Sequence, residues 1–208
     1  MNSKYTFSIA WLVFVFLAAG CAFETEIPDA GSKDSGIGGD QPPQYPGPPY
    51  GTEYGDTVEN FEVERVSCQG TTGTGRPWTL SEYLGAKAIL VTVHAGWCSI
   101  CKQQVATMED DLSPFYDRGL NVILLMTQDP SGSTNRQKLL DYSCEYRKKY
   151  GLSFPVAIDP NGAATGKFFD GVPLNMLLDK NMSIRYKITG LIPDSKALEG
   201  NIEGLLNE

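Results

Sequence analysis

Two cysteines between an apolar segment and a helix-compatible segment are the residues of this chain best suited to chemistry. Cys98 and Cys101 lie three positions apart, directly after the apolar segment 88–93. Backbone N–H groups at a helix N-terminus lack intrahelical partners and favour negative charge, so we expect Cys98 to ionise more easily than an isolated thiol. Cys101, one helical turn further on, is then placed to close a small disulfide. The spacing predicts that Cys98 attacks and Cys101 resolves a mixed disulfide.

The spacing of the two cysteines has two other interpretations. Cys-x-x-Cys also fits a buried pair of small apolar residues or half of a metal site. A strand, Trp97, the cysteine pair and a helix in direct succession favour redox chemistry over both. The dithiol then requires no cofactor and no metal ion.

The segments that must position the pair alternate between strand and helix patterns. Strands are predicted near Phe61 to Val66 and over 88–93, 121–126 and 154–158, the central runs being continuously apolar as in buried strands. Helices are predicted over 102–116, from Ser133 or Thr134 to Gly151, and over 195–206, with a short helical signal at 79–84. A hairpin is predicted from 172–179 and 183–189, whereas the glycine-rich segment 70–75 is interpreted as a flexible loop. Alternating β and α units predict an α/β sandwich.

The N-terminus has the pattern of a targeting segment. Lys4 precedes the apolar run 9–19, which is too short to span a bilayer comfortably, and small residues lead to Cys21. This pattern resembles the lipobox of bacterial lipoproteins, which implies cleavage before Cys21 and lipidation of its thiol. Ala22 follows Cys21, and in that class of protein a residue other than Asp favours the outer membrane. A plain secretory signal and a short membrane anchor are the alternatives.

Composition divides the rest of the chain into a tether and one domain. Residues 21–57 are rich in Pro, Gly and scattered acids, a composition that cannot bury a core, so we predict a tether there and a folded domain over 58–208, after a signal peptide at 1–20. The formal charge of −8 and the lack of a basic stripe argue against a nucleic-acid partner.

The residues from 58 to the C-terminus resemble the thioredoxin-like superfamily, and within it the exported, membrane-anchored TlpA/ResA-like thiol-disulfide oxidoreductases. The resemblance rests on WCSIC at 97–101 and GVP at 171–173. It implies a three-layer α/β sandwich with a central mixed sheet flanked by helices, and a cis-proline beside the dithiol at Pro173. It also implies a substrate groove formed by Trp97, Val172 and Pro173.

Two features near the cysteines depart from the common pattern, Thr92 and the dipeptide Ser99-Ile100, and the histidine His94 lies close to them in sequence. Many thioredoxins carry an acid six residues before the first cysteine, where this chain has Thr92. His94, the chain's single histidine, is interpreted as a partly exposed bystander, with thiolate stabilisation or copper binding as alternatives. Thr92 and His94 are therefore candidate modulators. Ser99-Ile100 between the cysteines leaves the direction of electron flow open.

Two further cysteines, Cys68 and Cys144, lie far apart in sequence. They are expected either to form a structural disulfide or to remain buried thiols; a four-cysteine zinc site is the weaker alternative, because no second Cys-x-x-Cys exists.

The function expected from these features is exchange of disulfides on other exported proteins. The expected partners are cysteine-containing exported proteins, with apocytochrome c among the clients that the resemblance implies, and a partner that recycles the dithiol. The expected location is the bacterial cell envelope, on a lipid anchor facing the periplasm or the exterior. The alternative is a non-enzymatic lipoprotein of the same fold that binds copper or a protein partner.

Overall fold

The computed structural model describes residues 44–168, 170–192 and 195–208. The strands in these residues are β1 Glu62–Gln69, β2 Thr72–Thr79, β3 Ala88–His94, β4 Leu120–Met126, β5 Val156–Ile158, β6 Leu174–Asp179 and β7 Ile184–Thr189. The helices are α1 Ser99–Leu112, α2 Arg136–Lys149 and α3 Ser195–Leu206, and short 3-10 turns cover Leu80–Tyr83, Ser113–Arg118 and Thr165–Lys167. No helix among the described residues is long and apolar enough to cross a membrane.

The described strands form one mixed sheet in the order β2-β1-β5-β4-β3-β6-β7. The pairs β3–β4 and β4–β5 are parallel, whereas β6 pairs with β3, and β7 with β6, in antiparallel register. The central strand β3 is buried at every position, which explains its continuous apolar sequence. The mixed sheet and thioredoxin-like α/β architecture expected from the sequence are confirmed.

The three described α-helices pack their apolar side chains into one core. Val105 and Met108 of α1, Leu139 of α2 and Ile202 of α3 belong to the same cluster of buried residues. The crossovers β3-α1-β4 and β4-α2-β5 both move along the sheet in the same direction, and a right-handed crossover then places both helices on the same face. Helices α1 and α2 therefore lie on the same face of the sheet, and His94 at the end of β3 contacts a side chain of each.

Loops and short turns cover the opposite face of the sheet. Phe61, Trp78, Leu80 and Phe168 pack there with the alternate side chains of the central strands. Phe61 contacts the rings of both Trp78 and Phe168. Each fully buried large apolar side chain stabilises the fold by about 1.5–3 kcal/mol.

The glycine-rich segment 70–75 is not the flexible loop expected from the sequence. Only Gly70 and Thr71 form a turn, and Gly73 and Gly75 lie within strand β2, which pairs with β1 along its whole length. A Cβ at Gly73 would overlap the backbone of Leu140 in α2. These glycines allow a close approach of strand to helix, a use that composition does not distinguish from a loop.

The last part of the predicted tether packs against the domain. The Tyr45 hydroxyl donates to the Val58 carbonyl at 2.8 Å, and its ring contacts the core on the loop-covered face. Backbone hydrogen bonds also join Gly55 and Asp56 to Ile184 of β7. The folded part therefore begins before residue 58, because aromatic side chains and a free strand edge stabilise a segment whose Pro and Gly content suggests a linker. The remaining tether and the signal segment lie outside the described residues.

Helix α1 begins earlier than the sequence pattern suggests. It starts at Ser99 and ends at Leu112, and a 3-10 turn carrying Pro114 continues to Arg118. The chain then reverses at Gly119, whose φ of 113° is a left-handed conformation that favours glycine.

Candidate active site

The cysteine pair lies where strand β3 passes into helix α1. Cys98 is the N-cap residue of α1, and its backbone N–H donates to the Ala95 carbonyl at 3.1 Å. The Gly96 N–H donates to the backbone carbonyl of Gln128 at 2.7 Å, and this bond holds the connecting loop against the segment that follows β4. A Cβ on Gly96 would lie 2.6 Å from the Tyr142 ring, so the loop needs glycine to approach this closely.

The two cysteines differ in accessibility and in hydrogen bonding. They are joined as a disulfide with a Cα–Cα distance of 5.3 Å. Cys98 is 5% exposed and Cys101 is fully buried. The Cys98 sulfur accepts the Cys101 backbone N–H at 3.0 Å, a contact that favours negative charge on that sulfur in the reduced state. Both differences suit Cys98 to attack and Cys101 to resolve.

Exposed apolar side chains and a cis-proline surround Cys98. Trp97 and Ile100 are 52% and 45% exposed, and the Trp97 Nε1 donates to the Gln128 side chain at 2.6 Å. The Val172 carbonyl oxygen lies 3.8 Å from the Cys98 sulfur, and the Val172–Pro173 peptide bond is cis, as the resemblance implies. The structure therefore brings together Cys98, Cys101, Trp97, Val172 and Pro173.

A cavity of about 380 Å³ opens beside this group. Ala95, Trp97 and Val172 form part of its wall near the cysteines, and the hydroxyl-bearing residues Thr127, Thr134 and Thr165 contribute to the rest of the lining. Its lining is neutral apart from Asp159, whose carboxylate accepts hydrogen bonds from Ala163, Ala164 and Thr165. The cavity therefore presents a nearly neutral surface next to the dithiol.

The expectation that His94 is partly exposed is wrong. Its side chain is fully buried, and burial lowers its pKa to about 3, so the ring is neutral at physiological pH. The His94 ring forms hydrogen bonds with Gln104 of α1 and Tyr146 of α2, because the last residue of β3 faces these helices rather than solvent. A neutral ring cannot stabilise a thiolate by charge, and this removes the simplest electrostatic role for His94.

Thr92 is buried in the same cluster of polar side chains. Its hydroxyl donates to the Asn175 Oδ1 at 3.0 Å, and Asn175 in turn exchanges two hydrogen bonds with Gln104. The position that holds an acid in many thioredoxins therefore joins a network of neutral side chains.

Three residues of this network were not identified from the sequence. Asn175 is a lone amide inside an apolar strand, which is a signal for a buried polar partner. Gln104 shares the buried face of α1 with Val105 and Met108, and Tyr146 reads as an ordinary core residue of α2. No local pattern pairs these positions, because they lie far apart in the chain.

The other two cysteines among the described residues form a disulfide. Cys68 of β1 and Cys144 of α2 are bonded with a Cα–Cα distance of 5.6 Å, Cys144 being buried and Cys68 exposed. With both pairs joined, the four-cysteine zinc site is not formed, and no cluster of His, Cys, Asp and Glu within the described residues suits a metal ion. Cys21, the predicted lipidation site, lies outside the described residues.

A disulfide at the start of the helix that follows the central strand, beside a cis-proline on a neighbouring strand, defines a thioredoxin-like oxidoreductase. The sequence matches the AhpC/TSA family over residues 54–187, more than half of the chain, and the chain belongs to that family. Within the thioredoxin superfamily it is a TlpA/ResA-like protein.

Similar proteins agree with this assignment. Thiol-disulfide oxidoreductase ResA of Geobacillus kaustophilus is 25% identical over 133 residues, which cover 63% of this chain and 70% of that protein. The thioredoxin domain of a thiol-disulfide oxidoreductase from Bacteroides vulgatus aligns with a TM-score of 0.56 at 14% identity, covering 72% of this chain and 98% of that one. Peroxidoxin BcpB from Mycobacterium tuberculosis aligns with a TM-score of 0.56 at 16% identity, over 75% of this chain and 97% of that one. These two structural likenesses show a shared fold, and the site residues must decide the chemistry.

Proposed function

We propose that this protein is an exported thiol-disulfide oxidoreductase that acts on cysteines of other exported proteins. The observation that carries the proposal is the placement of Cys98. Its sulfur caps helix α1, accepts the Cys101 N–H at 3.0 Å and lies beside the Val172 carbonyl, next to the exposed Trp97 ring. Cys101, fully buried one turn further on, is positioned to complete the exchange.

In the reducing direction the exchange has two steps. The Cys98 thiolate attacks a client disulfide, forming a Cys98–client bond, while the client S–S bond breaks and releases one client thiolate. The Cys101 thiolate then attacks the Cys98 sulfur, which forms the Cys98–Cys101 disulfide and releases the second client thiol. Two electrons pass to the client, and the same steps in reverse oxidise a client dithiol. A redox partner must restore the starting state of the pair.

The extracytoplasmic part of the proposal is supported by the second disulfide and by the N-terminal sequence. Structural disulfides such as Cys68–Cys144 persist in oxidising compartments. The pattern ending at Cys21 favours a lipid anchor, which would hold the domain at a bacterial envelope membrane, with the outer membrane favoured. Apocytochrome c is one client that suits this location. Mass spectrometry of the mature protein, compared with a Cys21→Ser variant, tests the anchor: loss of the acylated species in the variant supports it, and an unmodified or uncleaved wild type refutes it.

A trapping experiment tests the catalytic roles. The Cys101→Ser variant should accumulate mixed disulfides with envelope proteins through Cys98, whereas Cys98→Ser/Cys101→Ser, the matched control, should accumulate none. In the reduced wild type, Cys98 should alkylate faster at neutral pH than a cysteine in the unfolded chain. Equal alkylation rates together with an empty trapping lane would refute the function. Redox titration of the pair against glutathione then determines whether the protein reduces or oxidises its clients.

A further inference from the structure

A chain of buried hydrogen bonds links the two walls of the dithiol site. It runs through five side chains, none of which is charged at neutral pH: Thr92, Asn175, Gln104, His94 and Tyr146. At one end Asn175 Nδ2 donates to the Gly190 carbonyl at 3.5 Å, and the Gly190 N–H bonds to the Pro173 carbonyl at 2.7 Å. At the other end the Tyr146 hydroxyl reaches the Cys101 carbonyl at 3.5 Å.

The carbonyl at the first end fixes the orientation of both amides. Because the Gly190 oxygen can only accept, the NH₂ group of Asn175 faces it and also donates to Gln104 Oε1 at 3.0 Å. Asn175 Oδ1 therefore accepts from Thr92 and from Gln104 Nε2, at 3.0 and 2.8 Å. The second hydrogen of Gln104 Nε2 has two acceptors within reach, His94 Nε2 at 3.4 Å and Met108 Sδ at 3.8 Å. The imidazole nitrogen is the nearer and the stronger acceptor of the two, so this hydrogen is directed to His94.

The orientation of Gln104 determines the tautomer of His94. A nitrogen that faces an amide NH₂ group must offer a lone pair, so His94 Nε2 carries no hydrogen and Nδ1 carries the proton. Nδ1–H donates to the Tyr146 hydroxyl at 3.1 Å, and Tyr146 is left to donate its own hydrogen to the Cys101 carbonyl. Burial raises the pKa of Tyr146, so the hydroxyl keeps its proton. Protonating His94 would turn its Nε2–H toward an N–H of Gln104, and it would also place a charge in the core.

We propose that His94 and Tyr146 are positioning residues for the resolving cysteine, the neutral Nδ1–H tautomer of His94 orienting Tyr146 against the Cys101 carbonyl. The network ties the first turn of α1 to strand β6, two residues after Pro173, and so holds the Cys101 side of the site against the Val172–Pro173 side. The inference rests on the proposed function, since it concerns the step in which Cys101 attacks the Cys98 mixed disulfide.

Oxidised glutathione is a suitable probe for separating the two steps. In the Cys101→Ser background, the rate at which reduced Cys98 becomes glutathionylated, followed by quenching and mass spectrometry, reports attack alone. With Cys101 present, decay of the glutathionylated intermediate reports resolution. Tyr146→Phe keeps the buried ring and removes only the hydroxyl. It should leave attack unchanged and slow resolution by about fivefold, the rate equivalent of one net hydrogen bond.

Tyr150→Phe is the matched control. Tyr150 follows Tyr146 by one helical turn, and the centroids of the two rings lie 4.7 Å apart. The Tyr150 hydroxyl does not belong to the network, so the rates of attack and of resolution should both stay at the wild-type values. Equal decay rates in Tyr146→Phe and wild type would overturn the positioning role and leave the proposed function standing. Reduced Cys101→Ser protein that forms no glutathionylated Cys98 would overturn the proposed function, and the positioning role with it.

The single histidine provides a test that needs no substitution. In protein labelled with ¹⁵N-histidine, all imidazole signals come from His94. The expected spectrum is that of a neutral Nδ1–H ring from pH 5 to 8, in both redox states. An Nε2–H tautomer, or a titration near the ordinary histidine pKa of about 6.5, would contradict the hydrogen-bond directions and overturn the inference.

Discussion

The burial of His94 should by itself make the folded protein less stable at pH 5 than at pH 7. The buried ring has a pKa of about 3 in the folded protein, against 6.5 for an ordinary histidine. Below pH 6.5 His94 therefore binds a proton in the unfolded state but not in the folded state. The free energy of unfolding then falls as the pH drops from 6.5 toward 3. Between pH 7 and pH 5 this linkage amounts to about 2 kcal/mol of unfolding free energy. That is a substantial part of the 5–15 kcal/mol typical of a domain.

The measurement is urea unfolding of the oxidised protein at closely spaced pH values across this window. Ordinary carboxyl groups titrate near 4, so the stability that Asp129 and Glu203 contribute through their lowered pKa values is lost mainly below the window. Because the chain has one histidine, the slope between pH 6.5 and 5 reports His94. A His94→Gln variant is the control: its stability at pH 7 is lower, but its slope across the window should be close to zero.

The contrary result is a wild-type stability that changes by less than about 0.5 kcal/mol between pH 7 and 5. This would mean that the folded protein accepts a proton on His94 at ordinary pH. The ring would then be a cation beside the dithiol, and the neutral network derived from the hydrogen-bond directions would be wrong.

Three further predictions concern the disulfide, the active-site loop and the thiols. The Cys68→Ser/Cys144→Ala pair removes a bond across 76 positions and should lower the unfolding free energy by about 4.5 kcal/mol in the chain-entropy treatment; a loss below about 1 kcal/mol in urea unfolding would refute that account. Gly96→Ala forces a Cβ against the Tyr142 ring and the Asp129 backbone, and it should lower the free energy of unfolding by about 1–3 kcal/mol in urea unfolding. A free energy of unfolding equal to that of the wild type would show that the loop can move aside. In reduced Cys101→Ser protein, the rate of iodoacetamide alkylation should rise with pH in a single step between pH 5 and 8.5, because no network residue changes charge there; a second inflection near 6.5 would contradict this.

The central part of the fold was predictable from the sequence because its strands are buried on both faces. β3 and β4 are continuous apolar runs, and the β6–β7 hairpin shows its turn and its alternation. Strand β2 was not predicted, because its glycines serve close packing against α2 and look like a loop. The packing of residues 44–57 against the domain was not predicted either, because their Pro-rich composition is typical of a linker. Tyr45 and a few backbone hydrogen bonds nevertheless hold this segment in place.

The site divides in the same way between local and long-range features. The Cys98–Cys101 spacing was visible because it acts through its immediate neighbours in sequence, whereas the place of Pro173 beside the dithiol came from the family resemblance at 171–173. The contacts of Gln104 with Asn175 and of Tyr146 with Cys101 span 71 and 45 positions, and periodicity carries no information about such pairings. The burial of His94 could not be predicted for the same reason, since its partners Gln104 and Tyr146 come from two helices.

Thr92 in place of an acid acquires a physical meaning from this network. A buried carboxylate near a dithiol costs several kcal/mol to keep charged, and its titration would couple to that of the thiols. Thr92, Asn175 and Gln104 satisfy one another's hydrogen bonds without charge, and burial lowers the pKa of His94 so that its ring stays neutral beside them. The network side chains around Cys101 therefore keep one charge state at neutral and mildly acidic pH. Proton transfer in the proposed resolution step must then depend on the thiols, on solvent and on groups outside the network, because the network offers the site no acid.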